Sequence, residues 1–419
     1  MQSKYIVTKL SCFTGYVSQA ITVNLAPLLF VIFSESFKLS LSFIALIPLL
    51  TFLIQIVIDA AAVWFIEKVN FRLLCFLSQF MSFSGLILLS FLPGVWDPAA
   101  GIIVSILVYS SGSALAEVIL SPLIDAIGRE EDGSTAMTFL HSFYSWGQAI
   151  VIVVTTLVLK ITGSTHWEIL PLMWALIPLF NSIAFCKVRM PVVDSHDSEH
   201  GISKMLFRPS FIIAIFLMIC AGATEQVMAQ WTSLFAEVGL GVSKVTGDII
   251  GPCMFAVMMG IGRTLHGLFG KKLDIKKLLM ILSAFTVACY LMTIFARIPF
   301  MSLVGCGLSG LGVSIMWPGL LTMCSDDHRG GGALMFAFLA LGGDIGCSVG
   351  PYLSGSVSDM IINSKSLSLL GEELGLLPEQ FGLRAGFFAS LIFPVMMFFG
   401  VWLLKKEGKR KNDKIQKRY

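Results

Sequence analysis

From Ile6 to Leu404 the chain is an almost unbroken series of apolar stretches, each about 20 residues long, the length a helix needs to cross a bilayer. Twelve can be drawn, at 6–33, 40–65, 72–92, 99–124, 136–159, 168–186, 210–235, 246–269, 278–296, 300–324, 332–357 and 385–404. In lipid only helices and closed barrels satisfy their own backbone groups. Barrel strands are about 10 residues of alternating polarity, whereas these runs are longer and apolar on every face. The expected fold is an all-α membrane protein of twelve transmembrane helices. The series pauses once, at the polar segment from Lys187 to Arg208, which leaves six stretches on each side. Two pseudo-symmetric six-helix bundles are therefore expected, at 1–186 and 210–404. A cytoplasmic linker at 187–209 joins them, and a basic tail at 405–419 follows. Paired six-helix halves are a layout of secondary transporters.

Composition agrees. Hydrophobic residues make up 56% of the chain and charged residues 13%, against about 25% charged in soluble domains. The segment from Met1 to Lys9 is short and mildly basic, and a full spanning length follows it. It reads as the first helix rather than a cleaved leader. The nine cysteines show no CxxC pairing and read as free thiols. No metal or cofactor is expected. Of the 29 Lys and Arg, 22 fall on one side if the N-terminus is inside. This bias predicts a multi-pass protein of the cell membrane with both termini cytoplasmic. The basic tail is a topology anchor that can also meet anionic lipid.

The two halves carry a trace of duplication. Glu67-Lys68-Val69-Asn70-Phe71-Arg72 ends the second stretch, and a shift of 204 residues lays it on Lys271-Lys272-Leu273-Asp274-Ile275-Lys276. The same shift lays Asp59 on Arg263. Glu67, Lys68, Arg72, Lys271 and Asp274 are candidates for a cytoplasmic gate closed by ion pairs. The plainer reading makes them topology-setting charges at a tight turn.

Charge at mid-bilayer costs roughly 2.5–3.5 kcal/mol on insertion scales, so polar residues inside the stretches face a cavity or a partner. Gln55 and Asp59 share one helix face, as do Glu117 and Ser121. His141, Tyr144 and Gln148 form a stripe in the fifth stretch. Glu117 and Asp59 are the proton-coupling candidates. The substrate-binding candidates are Asn24, Gln55, His141, Tyr144, Gln148, Glu225, Gln226, Gln230, Trp231, Arg263 and Trp317. Any single amide or imidazole among them can instead be interhelical glue worth about 0.6 kcal/mol. Asp344, beside Gly342 and Gly343, can mark a helix bend. Together, amides, a phenol, an imidazole and indoles suit an uncharged polar solute with many hydroxyls. Glycines at 342, 346 and 350, and at 305, 307, 310 and 312, allow close or sliding helix contact.

Residues 112–122 read GSALAEVILSP and residues 140–147 read LHSFYSWG. Gly262-Arg263, Trp317-Pro318, Gly342-Gly343, Gly350-Pro351 and Ser358-Asp359 follow. In order and position these resemble the fucose–galactose–glucose:proton symporter group of the major facilitator superfamily. The resemblance spans nearly the whole chain. It implies the major facilitator fold, a role for Glu117 in proton-coupled sugar binding, and a sugar cavity lined by His141, where the group's permease has an amide. The group's first-helix motif is matched by Asn24 and Pro27, but its acidic residue is absent from Asn24-Leu25-Ala26-Pro27.

The function expected is secondary active transport of a small polar, sugar-like solute by alternating access, coupled to protons. The alternative is efflux of amphipathic compounds by proton antiport. An intramembrane enzyme would need a nucleophile–base pair or an HExxH-type metal set at membrane depth, and neither is present. A non-transporting sensor would need a signalling domain longer than these polar segments. The expected partners are the solute, protons and the lipid bilayer, with no nucleic acid, and the chain is expected to be a monomer. Asp194, His196, Asp197, Glu199 and His200 in the linker read as a solvated segment rather than a metal site. The segment from Met360 to Arg384 holds a short amphipathic stretch.

Overall fold

A computed structural model describes residues 5–39, 41–66, 68–130, 136–191, 205–243, 246–247, 249–270, 273–328 and 332–416. The described residues are mostly helical, with no strand among them. In the first half the helices are α1 (Ile6–Leu28), α2 (Phe30–Phe37), α3 (Leu41–Phe65), α4 (Phe71–Val95), α5 (Pro98–Glu130), α6 (Ala136–Thr162) and α7 (Ile169–Lys187). The second half has α8 (Pro209–Leu234), α9 (Met254–Phe269), α10 (Ile275–Phe295), α11 (Pro299–Val313), α12 (Met316–Asp327), α13 (Gly332–Asn363), α14 (Lys365–Glu373), α15 (Pro378–Ser390) and α16 (Ile392–Gln416). The fold is the expected membrane-embedded all-α architecture of twelve spans in two bundles. Among the described residues, eleven spans are long and apolar enough to cross a membrane by length and composition. The remaining span is α1 with α2, where Thr8, Lys9, Ser11, Tyr16, Gln19 and Asn24 dilute the apolar run.

Local chemistry sets the helix ends. Pro98, Pro209, Pro299 and Pro378 each open a helix, where the missing N–H has no partner to lose. Asn70 caps α4 by accepting from the Arg72 N–H at 2.8 Å. Asp274 caps α10 by accepting from the Lys276 and Lys277 N–H groups at 3.0 and 3.2 Å. Asn70 and Asp274 are the pair brought together by the 204-residue shift, so the repeat marks the same cap in both halves.

Predicted spans are broken inside. Span 1 divides into α1 and α2 at Leu29, span 10 into α11 and α12 around Ser314–Ile315, and span 12 into α15 and α16 at Leu391. Pro318 has no N–H to offer the Ser314 carbonyl four residues earlier, and Pro394 has none for Ser390.

The chain clusters into two compact units, Met1–Ser198 with Arg329–Leu341, and Glu199–His328 with Gly342–Tyr419. In the first, α5 packs against α4, α1 and α3. A Cβ on Gly85 would sit 2.6 Å from Tyr109 Cβ, so only glycine lets α4 and α5 approach so closely. On α3, Leu46, Leu49, Leu53 and Val57 form an exposed apolar stripe, while Thr51, Gln55, Asp59 and Ala62 form the buried face. In the second unit α11 packs on α9 and α10. Gly350 of α13 lies so close to α8 that a Cβ would meet Ala223 Cα at 2.7 Å. The glycine stripe is a helix-contact surface.

Candidate functional site

In the first unit, α1 turns Tyr16 and Gln19, three residues apart, toward Glu117 and Ser121, four apart on α5. Gln19 Nε2 donates to Glu117 Oε2 at 2.5 Å. The Tyr16 hydroxyl lies 2.9 Å from Ser121 Oγ and 3.3 Å from His141 Nε2 of α6. The Tyr16 and His141 rings meet edge-on with centroids 4.7 Å apart. All five side chains are buried, Tyr16 to 1% exposure and Glu117 to 9%. Beside them, Asn181 Nδ2 donates to the Ser11 carbonyl at 3.0 Å and to Gln79 Oε1 at 3.1 Å. Gly15 lets α1 approach α5 here, since a Cβ would lie 2.5 Å from Leu120 Cδ1.

The Gln19–Glu117 pair can take up a proton without rebuilding. An ionised Glu117 accepts from the amide N–H. A protonated Glu117 can donate to the amide oxygen after a half-turn of the amide. That oxygen, Gln19 Oε1, is buried with no hydrogen-bond partner among the described residues. The Tyr16, Ser121 and His141 groups each both donate and accept, so their chain can reverse.

In the second unit a different device holds the buried charges. Arg263 Nη2 pairs with Glu225 Oε2 at 3.0 Å, with side-chain exposures of 2% and 11%. Arg263 Nε donates to the Ser314 carbonyl at 2.9 Å. This is the carbonyl that Pro318 leaves without a helical donor, so one guanidinium neutralises a buried acid and seals a broken helix. Gly262 permits it, since a Cβ there would press on Ser314.

The sequence profile of the Major Facilitator Superfamily matches residues 12–351. The chain belongs to the major facilitator superfamily. It is therefore a multi-pass membrane transporter and not an enzyme. Among curated proteins no sequence match is found. Solved structures of the superfamily match in fold. The transporter FucP in the outward conformation matches with a TM-score of 0.75 at 17% identity, over 94% of this chain and 99% of that one. A second FucP structure is the E. coli fucose:proton symporter, at TM-score 0.72 and 16% identity, over 94% and 99%. The proton:xylose symporter XylE matches with TM-score 0.76 and 12% identity, over 97% and 96%. The human organic anion transporter MFSD10 matches with TM-score 0.69 and 13% identity, over 96% and 100%.

Within this superfamily fold the predicted site residues separate. Glu117 meets Gln19 and His141 meets Tyr16 in the first unit, and Glu225 pairs with Arg263 in the second. Asp59 is fully buried on α3, and Gln55 is buried one turn away with its Oε1 lacking a hydrogen-bond partner among the described residues. Gln148 is buried and Tyr144 half-buried on α6. Asn24 bonds its own helix, Nδ2 to the Ala20 carbonyl at 2.8 Å. Gln230 is exposed and donates to Gln226 Oε1 at 3.3 Å. Trp231 Nε1 donates to the Pro351 carbonyl at 3.2 Å. The Trp317 ring is buried against Gly343. Asp344 is buried on α13.

Of the gate candidates, Arg72 donates to the Cys186 carbonyl at 2.8 Å and stabilises the C-terminal end of α7. Asp274 caps α10 and lies 3.4 Å from Lys405 Nζ. Lys68 is exposed. Glu67 and Lys271 lie outside the described residues, as do the linker residues Asp194, His196, Asp197, Glu199 and His200. The sequence reading missed Tyr16, Gln19, Gln79 and Asn181. The available signal was the three-residue spacing of Tyr16 and Gln19 within an otherwise apolar stretch.

Proposed function

We propose that this transporter moves a small polar, sugar-like solute by alternating access, coupled to the binding of a proton at Glu117. The observation that carries the reading is the Gln19–Glu117 bond. A buried carboxylate held by a neutral amide can exist with or without its proton, whereas Glu225 is tied to a cation. Protonation removes the cost of a buried charge, which favours reorientation of the loaded carrier over the half-loaded one. Asp59, fully buried on α3, is a second candidate on the proton route. The hydroxyl, imidazole and amide groups of Tyr16, His141 and Gln148 suit a hydroxylated solute. The buried base that an anionic solute would need, Arg263, is already committed to Glu225 and Ser314. The sugar:proton symporters among the structural neighbours favour the same class, and MFSD10 marks the anionic alternative. We place the chain in the cell membrane as a monomer with both termini cytoplasmic.

The test is counterflow and pH-driven uptake in proteoliposomes over a panel of sugars and polyols. An inward proton gradient is expected to drive accumulation. Uptake that ignores the gradient refutes the coupling, and binding restricted to organic anions refutes the solute class.

A further inference from the structure

We infer that the end of the second unit carrying the C-terminus holds a binding site for one anionic phospholipid, in the groove between α10 and α16. The groove encloses about 690 Å³ and is lined by Lys277, Met280, Ile281 and Ala284 from α10, and by Phe398, Trp402, Lys405 and Lys406 from α16. Its chemistry is graded along its length. The α10 residues recur at helical spacing with the lysine in the first turn and the small Ala284 two turns deeper. On α16, Phe398 and Trp402 lie a turn apart, and Lys405 and Lys406 close the same end as Lys277. The floor is apolar and the rim is cationic.

The rim charges are not used equally by the protein. Lys405 Nζ lies 3.4 Å from Asp274, and Lys276, outside the groove, pairs with Asp327 at 2.7 Å. Lys277 and Lys406 form no ion pair among the described residues, and both are exposed. Lys406 Nζ instead stands over the Trp402 ring, 5.2 Å from its centroid. The indole is 43% exposed at the boundary between floor and rim. Aromatic rings of this kind settle at the headgroup level.

Two uncommitted cations above an apolar channel match a phosphate above an acyl chain. Lys277 and Lys406 would hold the phosphate, Trp402 the glycerol region, and Met280, Ile281, Ala284 and Phe398 the chain. Basic pockets between spanning helices recognise anionic headgroups in this manner. A zwitterionic lipid fits the floor but gains less from the rim. A second copy of this chain would bring the same lysines to the contact and repel.

The test is native mass spectrometry of the full-length protein released from micelles containing phosphatidylglycerol or phosphatidylcholine of the same acyl length. One phosphatidylglycerol is expected to remain bound preferentially. Each lysine near an anionic surface changes affinity about fivefold, so Lys277→Gln with Lys406→Gln should weaken retention roughly thirtyfold. Lys276→Gln, which removes one charge outside the groove, should leave retention unchanged. Ala284→Phe, which fills the channel and keeps the lysines, should also lose the lipid. The inference is overturned by equal retention of the two lipids, or by loss of retention in Lys276→Gln. It is also overturned if water-soluble glycerophosphate displaces the lipid at equal concentration, which would make this a soluble-anion site. A mass corresponding to two chains in place of the adduct would make the groove a dimer contact.

Discussion

Arg263→Met tests whether a single guanidinium serves both Glu225 and the broken span 10. The side chains of the pair are 2% and 11% exposed, so water does little to replace the lost partner. Removing one member of a buried ion pair costs about 3–5 kcal/mol, because the other charge stays buried. The bond to the Ser314 carbonyl is charge-assisted, and its loss adds about 1–3 kcal/mol. Arg263→Met should therefore lose at least about 4 kcal/mol. Arg263→Lys keeps a charge near Glu225 but cannot reach both acceptors in the fixed geometry of the guanidinium, so it should lose only about 1–3 kcal/mol. The double variant Arg263→Met with Glu225→Met removes both charges and leaves only the carbonyl unserved. It should be more stable than Arg263→Met alone by about 2–4 kcal/mol. Unfolding by SDS in mixed micelles, followed by tryptophan fluorescence, measures all four proteins on one scale. The reasoning fails if Arg263→Met lies within about 1 kcal/mol of the native protein. It fails equally if the double variant is no more stable than the single one.

Four further outcomes are expected. Glu117→Gln should abolish accumulation driven by a proton gradient but retain solute exchange, read as counterflow in the same vesicles. Tyr16→Phe removes the hydroxyl shared by Ser121 and His141 and should cost about 1–3 kcal/mol of stability, measured by SDS titration. Asn70→Ala and Asp274→Ala should each cost about 1 kcal/mol through lost caps, while Asn70→Asp should be tolerated. Asp274 gives a pH signature as well. Slight burial raises its pKa, but hydrogen bonds from the Lys277 and Lys276 N–H groups and the nearby Lys405 outweigh this and hold it below the usual range. Its contribution is therefore full above the unfolded carboxylate pKa of about 3.9 and fades as pH falls through its lower folded value. With the side chain 55% exposed, that contribution is small. The acid limb of an SDS-stability profile should move in Asp274→Asn and stay fixed in Asn70→Ala.

The bundle architecture was legible because lipid imposes it. Twenty-residue apolar runs have one solution, and the boundaries followed from Pro98, Pro209 and Pro299. The breaks at Ser314 and Leu391 were not drawn, although Pro318 and Pro394 signal them, because an apolar run reads as continuous through a proline. The repeat around Asn70 and Asp274 was visible as charges at a tight turn, with Asp274 a gate candidate, but the N-cap role of the two was not drawn. A polar residue beside charges at a helix start satisfies backbone first. Glu117 and Arg263 stood out because an ionisable group in an apolar run has few reasons to be there. Tyr16 and Gln19 did not, since a neutral polar side chain is common in spanning helices and only its partner reveals its use. Asn24 shows the converse: a conspicuous amide can spend its donor on its own helix at Ala20.

The two units thus hold buried acids in opposite ways, and the difference bears on which of them titrates. Glu225 faces Arg263 at 3.0 Å. A proton added there would leave the guanidinium, 2% exposed, without its ion partner. Glu117 faces Gln19, which carries no charge in either state. The shift of 204 residues sharpens the contrast, because it lays Asp59, an acid, on Arg263, a base. If the halves descend from one unit, the position that became Arg263 in the second copy gave its neighbouring acid a cation partner. The first copy kept acids on α3 and α5 and no buried lysine or arginine among the described residues. If transport is coupled to a proton at Glu117 as proposed, this division would let the first half change charge while the second keeps its broken span 10 sealed. The prediction that follows is directional: Gln19→Lys should convert the first half to the locked arrangement of the second. Such a protein should bind solute, exchange it, and no longer respond to pH.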